Sequence, residues 1–460
     1  MRTHPLAAIL RGNFQGWHAT RRFLVVATLM LSHRVGAADG LRVGAAAADL
    51  EADDSMVIAG GIEAGRGQGQ EGKLRCVAVV IEKADTRVAI VACDVLMLTR
   101  RSLDPVMTEI QQRFGIPPSH TLINCTHTHH APSTMRVHDY GPDAVFTRRV
   151  QEGIVRAVGN ALSNLTDARF FFQLGEERTV GQNSRVLLDD GQVFWIGPRT
   201  NFARPTGPFD AELPVLAFRD LENRLRAVIF NHSTHTIGTR ASGRRSPSIY
   251  GLAAQELEAQ LGGTVAFLEG ASGSTHNLDL TGDECTQRIK AAVFATLNRA
   301  TPREISRLSA RKSPLKFHVR RFDDAAEEAA VQRYCRKYAP SGAPVIERVF
   351  RTMRDELRPV QGEERETWVQ AIRIGDIALV GVPAEYFTQL GIDIKNRSPF
   401  RYTYVAELAN DWIGYLPNFE GHKLGGYQVW TGLQSYAEPG TGERIADEAI
   451  RLLNELARVP

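Results

Sequence analysis

Thr121-Leu122-Ile123-Asn124-Cys125-Thr126-His127-Thr128-His129-His130 is the stretch on which the reading of this chain turns. Its first half is a short apolar run of the kind that forms a buried strand, and three histidines follow it at once. Upstream, residues 76–81 and 88–95 are two more such runs. Residues 103–114 carry apolar side chains at helical spacing. The rhythm returns later, with a helix expected over 145–165, strands over 213–218 and 227–231, a helix over 251–261 and a strand over 265–268. Such alternation predicts an α/β fold in which central mixed β-sheet layers are covered by helices.

Residues 323–366 are charged and mostly helical, broken at Pro340-Ser341-Gly342, and read as a helical surface excursion or as a mobile cover over a cleft. Strand-like alternation resumes at 368–380, and 445–456 reads as an amphipathic helix. With no internal repeat and no low-complexity linker, residues 38–460 read as one large domain.

The 460 residues are 43% hydrophobic and 23% charged, enough apolar material for a large core. The formal charge of +3 sets 55 Lys and Arg against 52 Asp and Glu. Five of those bases (Arg2, Arg11, Arg21, Arg22, Arg34) lie in the first 37 residues with no acid, leaving 50 against 52 beyond them. That balance offers no basic face for nucleic acid and no polybasic hold on an anionic membrane. Arg21-Arg22, the apolar run 23–31 and the small residues 35–38 follow the order of a secretory signal, too short to span a bilayer. A signal peptide over 1–37 and a periplasmic or secreted chain without a transmembrane anchor are expected. Five cysteines (Cys76, Cys93, Cys125, Cys285, Cys335) without a CxxC support neither a disulfide framework nor a thiolate zinc site.

Two motifs fail their context. The spacing of Gly67, Gly69 and Gly72 matches a phosphate loop, but an apolar strand follows where a helix should open. Gly270-Ala271-Ser272-Gly273-Ser274 has a displaced second glycine for a nucleophile elbow and runs into no evident helix.

The histidines carry the chemistry. In an extended chain residues two apart project to one face, so His127 and His129 can share a site. Neutral imidazoles bind zinc at about 2.0–2.1 Å, and a second imidazole beside the metal can move a proton. Surface histidines on a polar loop are the alternative. A second cluster, Asn231-His232-Ser233-Thr234-His235, also follows an apolar strand, and ligands in open α/β folds gather at the carboxyl ends of strands. A third piece is the strand end Val380-Gly381-Val382-Pro383-Ala384-Glu385, then Asn410-Asp411-Trp412-Ile413-Gly414-Tyr415 and Gly425-Gly426-Tyr427.

On these segments the chain resembles the neutral, non-lysosomal ceramidases and their bacterial relatives, which are zinc-dependent amidohydrolases. The resemblance runs from residues 41–61 to the final helix. The H-T-H-x-x-P pattern, here His127 to Pro132, implies His127 as a zinc ligand and His129 as the proton-transfer residue. The asparagine before the second ligand matches Asn231, which makes His235 the ligand in preference to His232. Glu385 and Tyr415 look like the remaining ligands, and Tyr427 like the tyrosine that holds the reacting carbonyl. One zinc per chain is implied, with a small-molecule amide or lipid-like substrate.

The departures are equally specific. Ceramidases carry G-D-x-S-P-N where this chain has Gly273-Ser274-Thr275-His276-Asn277, with Ser274 for the aspartate and His276 for the serine, so either the segment has a different job or the substrate differs. Ser274 and His276 are read as substrate contacts, His276 alternatively as a proton-transfer residue or a plain loop histidine. Arg185 in Asn183-Ser184-Arg185 is read as binding a polar or anionic substrate group, or as a surface ion pair. Asp94 is read as orienting a ligand histidine, or as a strand-end cap. The chain ends soon after these segments, so no immunoglobulin-like C-terminal domain is expected. The leading expectation is an exported zinc amidohydrolase acting on a linear amide such as an N-acyl sphingoid base. An ester or non-lipid amide hydrolase and a non-catalytic secreted binding protein are the alternatives.

Overall fold

Two β-sheets organise the computed structural model, which describes residues 40–458; the signal-like segment lies outside the described residues. The larger sheet runs in the order Thr264–Glu269, Leu225–His232, Glu212–Asp220, Thr166–Glu176, Leu41–Asp49, Arg75–Lys83, Thr86–Cys93, Thr121–Cys125, with Thr301–Arg303 paired beside Thr166–Glu176. Its interior pairs are antiparallel, but the outermost pair at each end is parallel. A parallel pair needs a crossover, and each has a helix: Arg100–Phe114 at one end and Ser248–Leu261 at the other. The first crossover helix stops at Gly115, whose left-handed φ of 70° lets its N–H close on the Gln111 carbonyl.

The two parallel ends meet although they are first and last in the pairing order. Asn124 Oδ1 accepts from Glu269 N at 3.1 Å, joining strands Thr121–Cys125 and Thr264–Glu269. The coiling that twisted sheets accumulate makes this possible. Inside the curl lie Val79, Ile90, Leu122, Phe172, Phe218 and Leu268. Helices cover the outer faces, burying Ile110, Phe146 and Ile154 on one half and Tyr250, Leu257 and Ile289 on the other. Full burial contributes about 1.5–3 kcal/mol for each such large apolar side chain.

The second sheet closes the curl, with the order Leu308–His318, Glu364–Ile374, Ile377–Gly381, Tyr402–Ala406 and the last pair parallel. Its Ile372, Ile374 and Leu379 enter the same core. The alternation expected over 368–380 is two strands, because Gly375 at φ 64° turns the chain.

The charged stretch 323–366 holds helices Asp324–Tyr338 and Ala343–Leu357. Their inner faces are not solvated: Val331, Tyr334, Val349 and Phe350 are buried together with Tyr427 and Trp430. Charge marks only the outer side of this helical pair, which the residue order does not separate from the inner one. All five cysteines are buried and free.

Candidate metal centre

His127 lies two residues beyond the strand Thr121–Cys125, and His235 three beyond Leu225–His232. Each therefore leaves the carboxyl end of one parallel pair, and the meeting of those ends brings the rings to 4.5 Å between centroids. Glu385 and Tyr415 come from a separate two-stranded sheet that follows strands Ile377–Gly381 and Tyr402–Ala406 of the second sheet in the chain. They are register partners in a short parallel bridge, in which Glu385 N donates to Gly414 O at 3.2 Å. That bridge is why two side chains thirty positions apart project side by side.

His127 Nδ1 lies 3.0 Å from Leu96 O, and His235 Nδ1 lies 2.9 Å from Ser272 O. A carbonyl only accepts, so both Nδ1 atoms carry a proton, and in a neutral imidazole held this way the lone pair is on Nε2. Those lone pairs face one carboxylate oxygen, Glu385 Oε2, at 3.4 Å each. His129 Nε2 is 3.3 Å from His127 Nε2, and Tyr415 Oη is 3.0 Å from His235 Nε2. The three imidazoles His127, His129 and His235 offer ligand atoms within 4.8 Å of one another. Burial, then the neighbouring rings, pushes the His129 and His235 pKa values down. Burial pushes the Glu385 carboxyl up, but the His127 and His235 imidazoles pull it well below the usual range. Two imidazole nitrogens turned on one carboxylate oxygen make a place that a cation could fill. The spacing fits one: ligands about 2.0–2.1 Å from a tetrahedral zinc are roughly 3.3–3.4 Å from each other.

The surroundings hold the ligands in place. Trp412 Nε1 donates to Glu385 Oε1 at 3.1 Å. Ser272, whose carbonyl takes the His235 proton, is itself held by Glu407, which accepts from Ser272 N at 2.9 Å and Ser272 Oγ at 2.7 Å. Burial pushes the pKa values of both Glu407 and neighbouring Glu269 well up. Tyr415 remains a phenol in the bare site, its pKa raised by burial and by Glu385.

A cavity of about 370 Å³ opens onto the centre. His129, His235, His276, Tyr415 and Tyr427 line its polar end; Ile62, Phe194, Trp195, Ile196, Ile237 and Leu278 line the rest. His127 is sealed behind them. His276 stacks on His235 at 4.2 Å between centroids. Tyr427 lies flat on Trp195 at 4.2 Å and 4°, with its hydroxyl 3.1 Å from His138 Nε2.

Three expected residues stand elsewhere. Arg185 neither lines the cavity nor reaches the surface. Fully buried, it donates to Gln428 Oε1 at 2.7 Å and to the Gly425 and Gly421 carbonyls, so it braces the loop that carries Tyr427. Burial pushes its pKa down to about 9. Ser274 does not line the cavity; its hydroxyl donates to Thr388 Oγ1 at 3.1 Å, whereas His276 does line it. Asp94 bonds Arg75 N at 2.9 Å and Thr126 Oγ1 at 3.2 Å, so it reaches the ligand loop through Thr126 and touches no ligand ring. Burial raises it to about 7.

His232 and His235 separate cleanly. His232 is spent on Tyr250 Oη at 2.6 Å and Glu177 O at 3.0 Å, while His235 reaches the centre. Residue order alone does not single out Gly60, His138 or Trp412. Gly60, at φ 106°, abuts His129 so closely that an added Cβ would sit 2.4 Å from Nδ1.

No family model and no curated protein matches the sequence. Solved structures do match in shape, two of them as follows. Neutral ceramidase from Pseudomonas aeruginosa superposes with a TM-score of 0.72 at 18% identity, covering 92% of this chain and 75% of that one. A structure described as ceramidase complexed with C2 gives a TM-score of 0.71 at 17% identity, covering 91% and 75%. With its two sheets, its curl and the centre where they meet, this chain has the neutral-ceramidase fold.

Proposed function

We propose that this protein is a zinc-dependent amidohydrolase that cleaves a linear, lipid-like amide. The observation that carries this is the convergence of the His127 and His235 Nε2 lone pairs on the Glu385 carboxylate, with Tyr415 beside them. Zinc held by these four groups would supply Lewis acidity toward the scissile carbonyl and acidify water that plain solvent leaves at a pKa near 15.7, to about 7. The chain's own groups supply the rest. His129, on the cavity side of His127, is neutral and placed to take a proton and pass it to the departing amine. His276, stacked on His235, fixes that ring's plane. The apolar wall from Ile62 to Leu278 supports an acyl or alkyl substrate by excluding water from it.

The ceramidase named in the matching structures supports an N-acyl sphingoid base as the amide. Export is supported by the leader-like order of residues 21–38, and no helix among the described residues is long and apolar enough to cross a membrane. Metal analysis of purified protein, with turnover of a short-chain N-acyl sphingoid amide before and after chelation, tests the reading. One equivalent of zinc and chelation-sensitive release of amine are expected. Full turnover in protein stripped of metal would overturn it.

A further inference from the structure

Tyr427 has a single hydroxyl proton, and His138 decides where it goes. His138 occupies a tight reversal in which Val137 and Tyr140 exchange backbone hydrogen bonds, and it takes a left-handed φ of 52° there. The reversal is pinned, since Tyr140 Oη accepts from Gly60 N at 2.7 Å. His138 Nδ1 lies 2.9 Å from Gly61 O, so that nitrogen must carry the ring proton. Burial pushes the His138 pKa down to about 4, which keeps the ring neutral and leaves Nε2 a bare acceptor. Tyr427 Oη, 3.1 Å away, is therefore the donor. The flat stack on Trp195 and the edge of Phe350 hold the phenol ring in that pose. What Tyr427 turns toward the cavity is an oxygen lone pair.

We propose that His138 is a positioning residue that makes Tyr427 a hydrogen-bond acceptor toward the substrate, so that the site selects secondary amides, whose N–H can meet the phenol oxygen. This rests on the amidohydrolase reading and replaces the carbonyl-holding role expected for Tyr427. A substrate lacking the N–H leaves a buried acceptor unmatched, a loss of roughly 10- to 100-fold in kcat/KM.

The test compares a secondary fatty amide with its N-methyl counterpart on the zinc-loaded full chain. Wild type is expected to favour the secondary amide by about that factor. Tyr427→Phe abolishes the preference. His138→Gln keeps it, because the amide oxygen accepts the phenol proton, whereas His138→Leu frees that proton and loses it. A preference that survives in Tyr427→Phe is steric and overturns the proposal, as does one that survives in His138→Leu. Nitrogen-15 spectra of labelled protein, with the His138 signals assigned by their loss in His138→Gln, give a readout independent of turnover. The neutral ring protonated at Nδ1 is expected at neutral pH, and the other tautomer overturns the proposal even where both amides are cleaved. Failure of wild type to cleave either amide sinks the amidohydrolase reading, and the selectivity with it.

Discussion

At the end of strand Thr121–Cys125 two of three neighbouring histidines reach the candidate metal centre, whereas at the end of Leu225–His232 one of two does. Both segments leave an apolar parallel strand at its carboxyl end. What separates the histidines is the account of each ring nitrogen. His232 has both nitrogens taken by protein groups, Tyr250 and the Glu177 carbonyl, and is a structural residue. His127 and His235 each give Nδ1 to a carbonyl and turn Nε2 toward the same Glu385 oxygen, with the Tyr415 hydroxyl beside His235. Two buried imidazoles whose Nε2 atoms converge on one carboxylate make a candidate metal site, which a histidine tied up at both nitrogens does not.

Removing a ligand breaks the contrast most sharply. His127→Ala or Glu385→Gln should lower zinc affinity at least about 100-fold, more than losing a supporting residue does, and bring turnover to background. Elemental analysis after dialysis and an activity assay measure both. His232→Phe should do the opposite, leaving one zinc per chain while Tyr250 and Glu177 lose a buried partner each. A loss of about 2–4 kcal/mol is expected in urea unfolding. Loss of metal in that variant would place His232 among the ligands.

Gly60→Ala sharpens the distinction between His127 and His129. The added Cβ collides with the His129 ring and not with His127, so zinc content should hold while turnover falls about 10- to 100-fold. The smallest effect concerns pH. His138 is held near 4 in the fold, against about 6.5 in an unfolded chain, so between those values the unfolded state binds the extra proton. Its contribution to stability is present above about 6.5 and fades as pH falls toward 4. Urea midpoints measured from pH 7 to 4 should drop less steeply in His138→Gln than in wild type.

Much of this was readable along the chain. The strand Thr121–Cys125 has the bounds expected for it, and the helix expected over 251–261 starts three residues earlier, at Ser248. The unmarked pieces were those whose patterns carry no strong period, such as the long strand Leu308–His318, whose exposed positions are Arg311, Pro314 and Lys316. Within the site, the residues misplaced by sequence reading failed for one reason. Arg185 and Ser274 are polar side chains near the cavity in sequence, but their partners, Gln428 and Thr388, are contributed by segments more than a hundred positions away. Residue type announces that a group will need a partner, and says nothing of which face it turns to find one.

Composition and order by themselves determined the α/β layering, the two histidine-bearing strand ends and the acid and phenol that could join them, because hydrophobic periodicity and side-chain chemistry are local properties. Only the folded chain decided which lone pairs meet. The curl of the large sheet joins its first and last strands, and the Glu385–Tyr415 bridge aligns the second sheet with them. That outcome depends on twist and packing summed over the whole domain, and no short segment encodes it.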